Sequence, residues 1–294
     1  MNDADDRRGN RAHNDDGALT PAVAAGPPAI TLENAGYARA TPLQFQYRVL
    51  KALVLRDMSS RYGQHRIGYL MGILMPIVTI SVMIVAFGLR GKMVPQDFSL
   101  GVFVVTGYPL WQGFQQMYSR VLAASSRTDP LLMFPQITQL DLILSTIILE
   151  VATHTLVFFI LCVGVMIVFS SGPPADPVAV LFCYWGCLWI GSALGMILCA
   201  LQRAAPLAVT FLNTLLRFGM WVSGVVFAIN RLPSFLWPYL QWNPILHLIE
   251  GSRQSWNPAF QAPIFDPVYV LQCGFVLTTL GFVMERVSRR LVGP

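Results

Sequence analysis

Glu150 and His154 stand one helical turn apart in an almost uncharged neighbourhood, a setting in which a carboxylate is expensive unless it faces a partner or water. Arg217 is the candidate partner. A Glu150–Arg217 pair reads either as a lock between helices or as part of a proton relay, although a relay needs more than one carboxylate. Asn243, His247, Glu250 and Arg253 form the one cluster of polar groups that catalysis at an interface would require. Phosphate chemistry has no equipment here. There is no GxxxxGK[ST] loop, and neither Lys51 nor Lys92, the two lysines, is followed by Ser or Thr, so this chain is not expected to hydrolyse ATP itself. His13, His65, His154 and His247 are scattered, without an HExxH pattern or paired carboxylates, and no metal or acid–base site is expected. Cys162, Cys183, Cys187, Cys199 and Cys273 show no CxxC and read as small hydrophobes with free thiols.

What must position these groups is a set of long uncharged runs. Ile67–Leu89, at about 1.5 Å per residue, covers roughly 35 Å as a helix, enough to cross a hydrocarbon core of about 30 Å. Pro76 within it is tolerable where neighbours satisfy the freed carbonyl. Phe98–Ser119, Val151–Ala175, Pro177–Gln202 and Pro267–Met284 repeat the pattern, and Ala204–Asn230 is broken only by Arg217. With 54% of residues apolar and 12% charged, the expected fold is an all-α integral membrane protein with six transmembrane helices spread over residues 67–290. Gly191, Gly195 and Cys199 make a small-residue step of the kind that packs membrane helices.

The basic residues orient the chain. Arg7, Arg8, Arg11, Arg39, Arg48, Lys51, Arg56, Arg61 and Arg66 precede the first span, Arg286, Arg289 and Arg290 follow the last, and Arg120 and Arg127 lie between the second and third. Positive charge stays on the cytoplasmic side, so both termini and the loop at residues 120–135 are expected there, against the opposing votes of Arg90, Lys92 and Arg231. Residues 1–40 are rich in Asp, Asn, Arg, Ala, Gly and Pro without a periodic apolar face, the composition of a disordered tail and not of a signal peptide. Across residues 41–66, Leu43, Phe45, Val49, Leu50, Leu53, Val54 and Met58 recur near helical spacing, with Arg48, Lys51 and Arg56 on the other side. This predicts an amphipathic helix in the cytoplasmic interface, its arginines either holding anionic lipid headgroups or admitting an anionic substrate.

Residues 231–266 escape the hydropathy rule. Pro233, Pro238 and Pro244 forbid a straight helix, which predicts a re-entrant or interfacial hairpin on the outer side, rich in Trp237, Tyr239, Trp242 and Trp256. Trp111, Phe114 and Tyr118 fall on one helical face. They are either a packing stripe or, with Trp237 and Trp242, a channel wall or gate.

ALVLRDMSSRYGQHRIGYLMGILMPI resembles the segment where type-2 ABC exporter permeases enter their first span. VTGYPLWQGFQQM, LLMFPQITQLDLILSTIILE and NPILHLIEGSRQSW resemble later blocks of the capsular polysaccharide export permeases. The likeness extends from about Leu43 to Arg290. It implies a homodimer bound to two ATP-binding subunits, which hold ATP and Mg while this chain carries no cofactor. It further implies export of lipid-linked polysaccharide across the bacterial inner membrane to a periplasmic adaptor and an outer-membrane protein, with no nucleic acid involved. On the same likeness Arg127 and Asp129 couple to the ATPase, and Arg56, Arg61 and Arg66 shape the substrate entrance. The alternatives are a permease for another lipid-linked glycan, such as O-antigen or teichoic acid, an ion-coupled secondary transporter, and a polytopic membrane enzyme. A secondary transporter would need a charge network or inverted repeats that the sequence does not display.

Overall fold

Proline sets the starts of the helices. Pro177, Pro206 and Pro244 occupy the first turn of theirs, where a missing N–H costs nothing, and Pro42 and Pro267 open two more. The computed structural model describes residues 42–62, 66–90, 98–126 and 138–292. Every regular element among them is helical: α1 Pro42–Tyr62, α2 Arg66–Arg90, α3 Leu100–Val105, α4 Tyr108–Ser126, α5 Gln139–Val168, α6 Pro177–Ala204, α7 Pro206–Phe218, α8 Trp237–Leu240, α9 Pro244–Trp256 and α10 Pro267–Val292. The chain divides into two units, Met1–Phe45 and Gln46–Pro294. The first is described only from Pro42, and the expected tail at residues 1–40 lies outside the described residues.

In the second unit α6 is the hub, with α4, α9 and α10 all packed on it. α4 comes close because two glycines offer no side chain: a Cβ on Gly191 would sit 2.7 Å from the Phe114 carbonyl oxygen, and one on Gly195 would sit 2.7 Å from Val121 Cβ. One turn further on, Cys199 Sγ donates to the Val121 carbonyl at 3.3 Å. The small-residue step therefore packs helices, as its spacing suggested. α10 uses the opposite side of α6, where Gly281 approaches the Ala193 carbonyl and Gly274 lies under the Trp189 ring.

Among the described residues, three helices are long and apolar enough to cross a membrane, Gln139–Val168, Pro177–Ala204 and Pro267–Ser288. α5 and α10 leave Phe159, Ile167, Phe275 and Val276 exposed, apolar surface of the kind that lipid or a partner covers. α2 runs unbroken through Pro76 and contains a shorter apolar stretch, Leu74–Leu89.

Other expected boundaries are corrected. Phe98–Ser119 is not one helix: α3 stops at Val105 and α4 begins at Tyr108. Pro109 has no N–H to continue the ladder, and Thr106 Oγ1 turns back to donate to the Val102 carbonyl at 2.8 Å. α5 starts well before Val151, because Thr138 and Asp141 form a capping box. Counting uncharged residues treats Asp141 and Glu150 as interruptions, whereas one is a cap and the other is an interior residue of the helix. The expected Ala204–Asn230 helix ends at Phe218 after 13 residues, about 20 Å of rise. The chain then continues in single turns at Gly219–Trp221 and Ile229–Arg231, with Gly224 at φ 75°. α1 covers Pro42–Tyr62 of the segment expected at residues 41–66, but its division into faces is not clean: Leu53 and Asp57 are both buried while Leu55 and Met58 are exposed.

Candidate functional site

Irregular backbone after α7 leaves carbonyls and N–H groups without helical partners, and in a membrane protein such backbone persists only where other protein groups satisfy it. The polar block of α9 does this. Arg253 is fully buried; its Nη1 donates to the Phe227 carbonyl at 2.9 Å and to Glu250 Oε1 at 2.9 Å, and its Nη2 donates to the Val225 carbonyl at 3.3 Å. Glu250 Oε1 in turn accepts from the Ile229 N–H at 3.3 Å. The pair is at i, i+3 on α9 and fully buried. The guanidinium also lies flat enough against Phe103 of α3 to place its carbon 4.0 Å from the ring centre. Gly107, in the break between α3 and α4, makes the room: a Cβ there would stand 2.9 Å from Arg253 Nη2.

Asn243 and His247 fasten the other loop segments of the same region. Asn243 caps α9 by accepting from the Ile245 N–H at 3.0 Å, while its amide donates to Ser223 Oγ at 2.9 Å. His247 Nδ1 accepts from the Asp266 N–H at 3.1 Å, which leaves Nε2 to donate to the Gln241 carbonyl at 2.8 Å. Burial holds this imidazole below the ordinary histidine range, against the opposing pull of the Gln241 bond and the Asp266 charge. All four members of the block therefore hold loops in place, and no pair of them is arranged as nucleophile and base.

Glu150 is buried in the interior of α5, and the expected pairing with Arg217 is not formed among the described residues. Its ion-pair partners are Arg120 Nε of α4 and His154 Nε2, each at 3.5 Å, and Arg217 is exposed on α7. The reason is positional: α4 and α5 pack together, so Arg120, the residue that follows the uncharged run ending at Ser119, reaches Glu150. A third polar group joins helix ends and was not anticipated. Arg203 of α6 donates to Glu285 of α10 at 3.0 Å, to Gln139 of α5 at 2.6 Å and to Ser288 of α10 at 3.2 Å. The available signal was a lone arginine and a lone glutamate at the ends of two apolar runs that the positive charges place on one side.

Trp111, Phe114 and Tyr118 are buried, with successive ring centres 5.3 and 5.4 Å apart. Within this chain the three rings are packed among the buried core residues. Trp237 is half-buried, its indole N–H bonded to the Leu232 carbonyl at 3.3 Å, and Trp242 is exposed. Arg56 lines a small crevice with Asp57, Ala124, Ser145 and Thr146. Arg61 lies near the end of α1 and Arg66 opens α2. Arg127 and Asp129 lie outside the described residues.

Three relatives align along most of their length. The polysialic acid transport protein KpsM of Escherichia coli is 26% identical over 246 residues, 83% of this chain and 94% of its own. The capsule polysaccharide export inner-membrane protein CtrC of Neisseria meningitidis serogroup A is 26% identical over 249 residues, 84% and 94% of the two chains. The capsule polysaccharide export inner-membrane protein BexB of Haemophilus influenzae is 25% identical over 252 residues, 86% and 95%. The model of the ABC-2 type transporter family matches residues 48–256. That match runs from α1 to the last residue of α9, taking in the Arg253 clamp and the α4–α6 glycine contact, and by it the chain belongs to the ABC-2 type transporter family.

Proposed function

We propose that this chain is the inner-membrane permease of an ATP-driven exporter of capsular polysaccharide. The observation that carries the proposal is collinear similarity over more than four-fifths of the chain to relatives named for capsule or polysialic acid transport. Two copies, each crossing the bilayer six times with both termini in the cytoplasm, enclose the path. Two ATP-binding subunits hold ATP and Mg and push on the loop that contains Arg127 and Asp129. α1 lies in the cytoplasmic interface, and Arg56, Arg61 and Arg66 draw in the anionic head of a lipid-linked glycan. On the outer side the segment from Arg231 to Asp266, with Trp237 and Trp242, is a re-entrant gate that hands the polymer to a periplasmic adaptor and an outer-membrane protein. The Arg253 clamp supports this reading, since a non-helical segment between apolar helices needs such a strut if it is to keep its shape near lipid.

Deleting the gene and staining for surface polysaccharide tests the proposal. The expected result is loss of the surface polymer with accumulation inside the cell, restored by a plasmid copy. An unchanged surface coat in the deletion strain overturns it.

A further inference from the structure

Between the turn that precedes α9 and the segment that leads into α10 lies an open cleft of about 390 Å³, lined among others by Gln241, Trp242, His247, Phe265, Asp266 and Tyr269. Its walls are fastened to one another. His247 bridges the Gln241 carbonyl and the Asp266 N–H, and the Tyr269 hydroxyl donates to the Trp242 carbonyl at 2.9 Å. The His247 and Tyr269 rings lie 4.9 Å apart. These bonds fix the walls of the cleft relative to one another, and preformed clefts of a few hundred Å³ with a few convergent polar groups are the usual form of a ligand site.

The chemistry of the lining narrows the ligand. Trp242 is 73% exposed, an indole face held out to solvent where burial would have been favourable. Beside it are the Tyr269 ring, the Asp266 carboxylate and the Gln241 amide. An acyl chain gains nothing from a carboxylate and an amide. A phosphate or a uronic acid is repelled by Asp266, and a metal ion finds one carboxylate where it needs several ligands. A sugar ring suits both halves: its apolar C–H face lies on an aromatic plane, and its hydroxyls donate to carboxylate and amide oxygens. We propose that this cleft is a saccharide subsite for an uncharged hexose or N-acetylhexosamine residue of the exported polymer. The inference rests on the export reading above and adds to it a place where one sugar unit docks.

The test uses the full chain in lipid nanodiscs and saturation-transfer NMR with two probes, chitotetraose as the uncharged oligosaccharide and an α2,8-linked sialic acid tetramer as the anionic one. Chitotetraose receives saturation and the sialic acid tetramer does not. Trp242→Ala weakens chitotetraose binding about tenfold or more, the loss of one stacked contact with its hydrogen bonds. Asp266 Oδ1 accepts from the Val268 and Tyr269 N–H groups at the start of α10 at 2.8 and 3.2 Å; Asp266→Asn keeps an oxygen for that cap, relieves the repulsion and lets the anionic tetramer bind. Absence of transfer to chitotetraose, equal transfer to both probes, or binding that Trp242→Ala leaves unchanged overturns the subsite. So does loss of a co-purifying protein in Trp242→Ala without any sugar binding, which assigns the cleft to a polypeptide partner. The two readings fail separately: a deletion strain that keeps its surface polysaccharide ends the export reading, whereas a deletion strain that loses it while Trp242→Ala binds and exports normally ends only the subsite.

Discussion

The Arg253 guanidinium carbon lies 4.0 Å from the centre of the Phe103 ring, and through that contact α9 is joined to α3 at the point where the second apolar run breaks. The same side chain reaches two carbonyls and a carboxylate, so one residue holds α3, α9 and the loop after α7 together. A planar fork is needed for this, and an ammonium cannot replace it.

Arg253→Ala and Arg253→Lys should therefore both be damaging. Removing the cation leaves Glu250 buried and unpaired, which costs about 3–5 kcal/mol. Steric-trap unfolding in bicelles should show that loss for alanine and most of it for lysine. Full stability of Arg253→Lys would mean that the fork geometry is irrelevant.

Gly191→Ala should separate α4 from α6. The new methyl meets a backbone oxygen at 2.7 Å, and since backbone has no rotamer to escape into, the cost is about 1–3 kcal/mol. Gly164→Ala is the control, because nothing lies within 4 Å of a Cβ there. Equal melting temperatures for the two variants would contradict the close α4–α6 approach.

Glu150 should couple to Arg120 and not to Arg217. Arg120 is half exposed, so a double-mutant cycle of Glu150→Gln with Arg120→Gln should give a modest interaction of about 1 kcal/mol or less. The cycle with Arg217→Gln should give none. A larger coupling to Arg217 would restore the pairing that the structure does not form.

His247 makes stability depend on pH in a direction that follows from its depressed affinity for protons. The unfolded chain takes up a proton near the ordinary value of about 6.5, before the folded protein does, so acid favours unfolding. The stability contributed by His247 is whole above that value and falls as pH drops below it. Wild type should thus exceed His247→Gln at pH 7.5 by a margin that narrows toward pH 5.5 in thermal melts. A margin that widens on acidification would reverse the assignment.

Helices in this chain are legible wherever the signal is local. Apolar runs and prolines mark α2, α6 and α10, and Gly191 and Gly195 announce a tight contact from their spacing alone. The membrane class follows from composition, because hydropathy sums over a single segment and needs no partner. Thr138 and Asp141 are equally local, a capping box readable in the residues, and passing over it shortened α5 and put Glu150 at a helix end. What tertiary structure decided is the choice of partners. Glu150 found Arg120 because α4 packs on α5, Arg203 found Glu285 because α10 crosses the same end of α6, and Trp111, Phe114 and Tyr118 turned inward because α6 offered glycines to receive their helix. A charge in a low-dielectric interior binds whichever opposite group the packing delivers within a few ångströms. Which group that is depends on the crossing of two helices, and the order of residues along either one does not contain it.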